Sequence, residues 1–184
     1  LYNGQAKMKS DYDYKNIFNL KNKNIIVIGA ANGIGNEACK AIAAHGANLI
    51  CADIDIEKIK VLSDDLSNKY KNSNIKYQKV DILNRNEIEK LVNKFDKLDG
   101  MVCTPSINVR KLIVDYTEKD FDKVINLNLK GTFNIIQIAS TKMIKNLQGS
   151  IIAFSSIRGT VVEPGQSVYA ASKAGTEKLI NTLA

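Results

Sequence analysis

The sequence predicts an α/β fold, a doubly wound parallel sheet with helices on both faces, and three observations carry that prediction. Short apolar, β-branched runs alternate with longer stretches at helical spacing from about Leu20 to the end, with no repeat and no linker. The first apolar run passes directly into a glycine-rich turn that opens a helix. The residues able to do chemistry fall at the carboxyl ends of the predicted strands, where open parallel sheets bind ligands.

Residues 1–19 are polar, with Tyr2, Tyr12, Tyr14 and several lysines, and read as a loose N-terminal arm in which Met8 is a candidate natural start. Residues 20–184 read as one domain. The first strand is expected over about 24–29, from Asn24-Ile25-Ile26-Val27-Ile28, a run apolar enough to be buried on both faces. A helix follows to about His45, with Gly46 placed to end it. The second strand, 48–52, stops at Asp53, and Ile56, Ile59, Val61, Leu62 and Leu66 then mark a helix near 56–71. A third strand over 75–80 leads to a helix near 85–96, and Gly100-Met101-Val102-Cys103 is the fourth strand. Thr117-Glu118-Lys119-Asp120 has the form of a capping box with Asp in place of Glu, opening a long helix to about Asn146. The fifth strand is 150–155, and the last helix begins near Ser167.

Two constellations carry the chemistry. Gly29-Ala-Ala-Asn32-Gly33-Ile34-Gly35 lies between strand and helix, and Asp53 ends the next strand about two dozen residues on. Glycines let the backbone approach a pyrophosphate, whose charge then meets free N–H groups at the helix start. Asp53 is placed to accept hydrogen bonds from ribose hydroxyls. A turn that merely permits tight strand–helix packing is the simpler alternative. The second constellation is Tyr169 and Lys173, four residues apart and therefore on one helix face, with Ser156 upstream. The ammonium favours the phenolate, which suits proton exchange in alcohol oxidation or ketone reduction. Alone, such a pair also fits a solvated helix, and Ser155-Ser156 also fits a turn cap.

With these motifs the chain, from about Leu20 to Ala184, resembles the short-chain dehydrogenase/reductase family. Gly29-x-x-x-Gly33-Ile34-Gly35 matches its cofactor turn, and Asp81-Ile82 after the third strand its adenine-contacting pair. Asn128 in Asn-Leu-Lys-Gly, Ser156, Tyr169 and Lys173 match its catalytic tetrad. The resemblance implies a Rossmann-type fold and an NAD(P)-dependent oxidoreductase interconverting a secondary alcohol and a ketone. Tyr169 would be its acid or base, and Lys173 its phenol-activating and ribose-binding group. Ser156 would hold the substrate oxygen, and Asn128 would hold a water linking Lys173 to solvent. Asn32, Gly33, Ile34, Gly35, Asp53, Asp81, Ile82 and Cys103 would join Gly29, Tyr169 and Lys173 at the cofactor. Asp53 favours NAD over NADP, since a carboxylate repels a 2′-phosphate and no Arg or Lys stands in the turn or at Ile54. A homodimer or homotetramer is implied for the full-length protein.

Three departures stand out. Cys103-Thr104-Pro105-Ser106 replaces the family's Asn-Asn-Ala-Gly, and Pro105 offers no N–H. Ile28 stands where the family commonly has Thr. The sequence ends inside the Tyr–Lys helix, so the fold is expected to be truncated there, without the segment that completes the substrate side. The segment Asn108-Val109-Arg110-Lys111 resembles sugar-acid and polyol dehydrogenases, in which Arg110 would meet a carboxylate; a surface or interface arginine is the alternative, and a 3-oxoacyl thioester also fits. A nucleotide-binding protein without turnover, and an epimerase or dehydratase, are the competing functions.

Composition adds limits. The 45% apolar and 24% charged content is that of a soluble globular domain, with no run long enough for a membrane span and no signal-peptide pattern in the sequence, and a cytoplasmic location is expected. The net charge of +7 comes from scattered lysines rather than a basic, aromatic groove, so nucleic acid is not expected as a partner. Cys39, Cys51 and Cys103 lack metal or redox spacing and read as buried small residues; His45, at a helix end, reads as a cap, and no metal site is expected.

Overall fold

The computed structural model describes residues 17–183. The polar arm, with Tyr2, Met8, Tyr12 and Tyr14, lies outside the described residues except for Ile17, Phe18 and Asn19. Five strands form one parallel sheet in the order β3-β2-β1-β4-β5: β1 Asn24–Ile28, β2 Asn48–Asp53, β3 Ile75–Lys79, β4 Gly100–Cys103 and β5 Ser150–Ala153. The order reverses beside β1, so the carboxyl ends of β1 and β4 diverge into loops that leave a crevice between them.

Period two decides what each face packs. In β1 and β2, Ile26, Ile28, Ile50 and Ala52 join one core with Ile88 and Leu91 of α3 (Arg85–Val92) and Ile135 of α5 (Thr132–Lys145). The alternate residues Val27, Leu49 and Cys51 join the other, with Cys39 of α1 (Gly33–Ala44) and Ile59 and Leu66 of α2 (Ile56–Lys69). Helices therefore cover both faces, as the alternation of elements required. All three cysteines are free and buried. His45 is the C-cap of α1, its N–H directed to Ala41 O and Ala43 O, and Gly46 follows at φ +87°.

The expected long helix is one run in three parts: α4 (Glu118–Ile125), a π-helical segment Asn126–Gly131, and α5. Its start is the capping box read from sequence, with Thr117 accepting from Asp120 N and Asp120 reaching back to Thr117 N. The π segment is a difference that apolar spacing could not reveal, because it adds a residue to a turn without ending the helix. The helix expected over 85–96 ends at Val92, where Asn93 caps it and frees the chain to turn Phe95 onto the core. Strand β5 stops at Ala153, before Ser155. No helix among the described residues is long and apolar enough to cross a membrane.

Candidate active site

The glycine turn is built by steric necessity. Gly29 has φ +87°, and a Cβ there would lie 2.2 Å from Thr104 Oγ1. At Gly35 a Cβ would stand 2.0 Å from the Gly29 carbonyl oxygen, so the start of α1 can approach β1 only with glycine here. The first turn of α1 carries no acidic residue of its own. Asp53 is tied into the same turn: its Oδ2 accepts Ala31 N at 3.0 Å and its Oδ1 accepts Asp55 N at 3.1 Å. Two backbone amides thus fix the carboxylate while its remaining lone pairs face the crevice.

Gly29, Asn32, Gly33, Ile34, Asp53, Asp81 and Ile82 line one cleft of about 450 Å³, together with Thr104, Pro105, Ser106, Ile107 and Leu127. Seven of the sequence-named cofactor residues therefore meet around one space. Asp81 is itself held, its N–H donating to Glu87 Oε2 and its Oδ1 accepting Leu83 N. Gly35 is buried behind the turn. Cys103 sits in the core, its thiol 3.9 Å from Thr132 Oγ1 and pushed up to about 11 by burial, against opposing effects of Thr132 and the Lys173 charge. It is the residues after Cys103 that face the cleft. Sequence reasoning singled out this Cys-Thr-Pro-Ser loop only as a departure; a hydroxyl one residue beyond a strand end was the available signal.

Tyr169 and Lys173 lie on α6 (Ser167–Leu183). Lys173 is 5% exposed, and its Nζ donates to Phe154 O at 2.7 Å while lying 5.7 Å from the centre of the Tyr169 ring. Burial lowers its pKa from the ordinary lysine value, opposed by Cys103. One of its three protons is spent on Phe154, and two are left for a ligand or the phenol. Ser156 caps the 3₁₀ turn Ile157–Gly159, its Oγ accepting Arg158 N at 3.2 Å. The cap reading and the catalytic reading are compatible, because an accepting hydroxyl keeps its own hydrogen to donate. Ser155 fastens this turn to α6, donating from Oγ to Lys173 O at 3.0 Å.

Asn128, only 2% exposed in the π segment, joins the two halves of the site. Its Oδ1 accepts Ile107 N and its Nδ2 donates to Ile107 O, both at 2.8 Å. The second Nδ2 hydrogen reaches Ser172 Oγ at 3.1 Å, and Ser172 donates to Tyr169 O at 2.7 Å. Both amide hydrogens are committed, so a relay water on this side chain has only the second lone pair of Oδ1 to bind it. Arg110, exposed over 61% of its side chain, is ion-paired to Glu163, which also holds Arg158. That arrangement matches the surface reading of Arg110. Lys111 N–H donates to Gly165 O, and Asn108 to Gln166 Oε1 at 2.6 Å, closing the loops after β4 and β5 on each other. Among the described residues no cluster of His, Cys, Asp and Glu could hold a metal ion.

A sequence model of the short chain dehydrogenase family matches residues 23–184. The 3-oxoacyl-(acyl-carrier-protein) reductase FabG of Thermotoga maritima is 37% identical over 172 residues, which is 90% of this chain and 68% of that protein. Its namesake in Rickettsia felis is 35% identical over 159 residues, 86% of this chain and 64% of the relative. The chain thus spans about two thirds of the length of these curated relatives. Among solved structures, that of gox2181 superposes with a TM-score of 0.84 at 29% identity, covering 91% of this chain and 67% of the other. A short-chain type dehydrogenase/reductase from Mycobacterium marinum gives 0.86 at 23% identity, over 92% and 71%, a likeness of fold. The match runs through the glycine turn and the Tyr–Lys helix alike, and the chain belongs to the short-chain dehydrogenase family.

Proposed function

We propose that this chain carries the cofactor cleft and proton-handling site of an NAD(P)-dependent oxidoreductase that interconverts a ketone and a secondary alcohol. The observation that carries the proposal is the buried Lys173 ammonium, anchored on Phe154 O beside the Tyr169 ring. A lysine held this way stabilises negative charge on the neighbouring phenol oxygen as its proton moves. A bound nicotinamide supplies or accepts the hydride. Tyr169 gives a proton to the forming alkoxide in reduction and takes it back in oxidation. Ser156 donates its free hydroxyl hydrogen to the same substrate oxygen, held by the cap bond from Arg158 N. Asn128 keeps the Tyr169 helix and the cleft-lining Ile107 in register.

NAD is the cofactor we favour over NADP. The Asp53 carboxylate is fixed at the end of β2 by two amides, where it accepts hydrogen bonds from ribose hydroxyls and repels a 2′-phosphate. A 3-oxoacyl thioester is the favoured substrate class, on the names of the relatives and on the pairing of Arg110 with Glu163, which occupies the guanidinium a sugar acid would need. A homo-oligomer belongs to the same proposal, supported by the apolar groove of Ile125, Leu129, Phe133 and Leu179.

The test titrates the protein with NADH and NADPH by nicotinamide fluorescence, then follows NADH consumption with acetoacetyl thioesters and with keto sugar acids. Tighter NADH binding and thioester turnover are expected, with Tyr169→Phe losing turnover while still binding NADH. Binding without turnover on any ketone sinks the enzyme reading; full activity in Tyr169→Phe sinks the mechanism.

A further inference from the structure

The loop after β4 departs from the family pattern at Cys103-Thr104-Pro105-Ser106. Strand β4 pairs with β1 as far as Ile28 and Cys103, and the ladder continues one bond further, from Thr104 N to Ile28 O at 3.0 Å. There the Thr104 side chain turns back onto the glycine turn. Its Oγ1 lies 3.1 Å from Ile28 O and 3.1 Å from Gly29 O, sharing one hydrogen between two carbonyls.

The fit around that oxygen is close. It stands 2.2 Å from where a Cβ on Gly29 would be and 2.9 Å from where one on Gly35 would be. The end of β1, the start of α1 and the β4 loop therefore converge on a single hydroxyl, at the wall of the cleft that Thr104 itself helps to line. Pro105 contributes as well. Its ring restricts the preceding residue to extended conformations, which limits the orientations Thr104 can take, and its Cδ closes the space beside Gly29 to 3.0 Å. Ile28, on the β1 side of the same junction, has no polar side-chain atom with which to make such a tie.

We propose that Thr104 is a positioning residue for the cofactor: from β4 it supplies the polar tie that Ile28 cannot supply from β1, and it holds the Gly29–Gly35 turn in its anion-binding shape. Asn32, Gly33 and Ile34 then present the open side of the turn to the pyrophosphate, while Thr104 braces the closed side. The proposal rests on the reading of this cleft as a dinucleotide site.

The experiment compares wild type with Thr104→Val, which keeps the shape and removes the hydroxyl, and with Thr104→Ser, which keeps the hydroxyl and removes the methyl. NADH affinity is measured by nicotinamide fluorescence, and kcat and the KM for the carbonyl substrate at saturating NADH by absorbance. Thermal unfolding is followed alongside. The Val variant is expected to bind NADH about tenfold more weakly, the size of one lost hydrogen bond to the backbone. The Ser variant is expected to recover most of that affinity, with kcat and the substrate KM moving little in either. A Val variant that binds NADH as wild type does overturns the proposal, because packing alone would then be Thr104's contribution; a Ser variant as weak as Val overturns it as well, because the hydroxyl would then not hold the turn. Pro105→Ala provides a second measure should the Val variant not fold. Released from the proline restriction, Thr104 keeps its hydroxyl but gains freedom, and NADH affinity is expected to fall about threefold; unchanged affinity counts against the proposal. Wild-type protein that binds neither NADH nor NADPH removes the cofactor reading itself, a result distinct from wild-type binding that the Thr104 substitutions fail to alter.

Discussion

Removing the Asn128 side chain should loosen the two halves of the site from each other, and the size of the effect follows from its bonds. Three hydrogen bonds are lost in Asn128→Ala: two to the Ile107 backbone and one to Ser172. At about 0.5–1.5 kcal/mol net for each bond, the loss lies between about 1.5 and 4.5 kcal/mol. Ile107 is only half buried, so water can answer part of its freed N–H and C=O, which places the expectation in the lower half, about 2–3 kcal/mol. Asn128→Asp separates acceptor from donors. The carboxylate still accepts Ile107 N but donates to neither Ile107 O nor Ser172, and it buries a charge at a position 2% exposed. It should therefore be less stable than the Ala variant at neutral pH and recover as acid protonates the carboxyl and restores one donor. Urea unfolding of the three proteins with a shared m-value measures this. Because Ile107 lines the cleft, NADH affinity should fall in both variants. An Ala variant within about 0.5 kcal/mol of wild type, a margin typical of surface substitutions, would refute the brace.

The remaining predictions concern the turn and the far end of the sheet. Gly35→Ala gains about 1 kcal/mol of helix propensity, yet its Cβ would lie 2.0 Å from Gly29 O, a backbone atom that cannot rotate away. Net destabilisation and weaker NADH binding are expected by thermal shift and titration; an Ala variant more stable than wild type refutes the steric reading. Asp99 is pushed up by burial but more strongly down by the Asn24 N–H, by Lys97 and by Lys23, leaving its pKa below the ordinary value. Its stabilisation is thus fully present above the unfolded pKa of about 3.9 and is lost as pH falls through the lower folded value. Asp99→Asn should lower the urea midpoint at pH ~7, with the gap to wild type closing as pH falls below the unfolded carboxyl pKa and through the lower folded one; a gap independent of pH contradicts this. Asp53→Asn should narrow the preference for NADH over NADPH proposed above, read as the ratio of their dissociation constants; an unchanged ratio counts against Asp53 as the selecting group.

Much of the fold was legible because burial on both faces of a parallel sheet writes itself into the chain. Ile25 to Ile28 had to be a covered strand, and Thr117 to Asp120 had to open a helix, since those signals act over a few residues. The π segment was not legible, because a wide turn leaves the apolar rhythm on either side intact. The early end of the helix at Val92 was missed for a related reason: Phe95 packs on the core without being helical. In the site, Gly29, Asp53, Tyr169 and Lys173 were visible as spacings. Thr104 was not, since its importance lies in 3.1 Å contacts to residues about 75 positions away.

The sequence by itself determined the alternation of strands and helices, the glycine turn with its acid, and the helical pairing of Tyr169 with Lys173. Each of these is a local pattern, set by spacing and residue type. Only the tertiary structure decided what braces them: Asn128 spent on Ile107 and Ser172, Lys173 anchored on Phe154, Arg110 taken by Glu163, and Thr104 wedged between two glycines. Those contacts join segments far apart in the chain, and a hydrogen bond forms only where folding brings its donor and acceptor to within about 3 Å of each other.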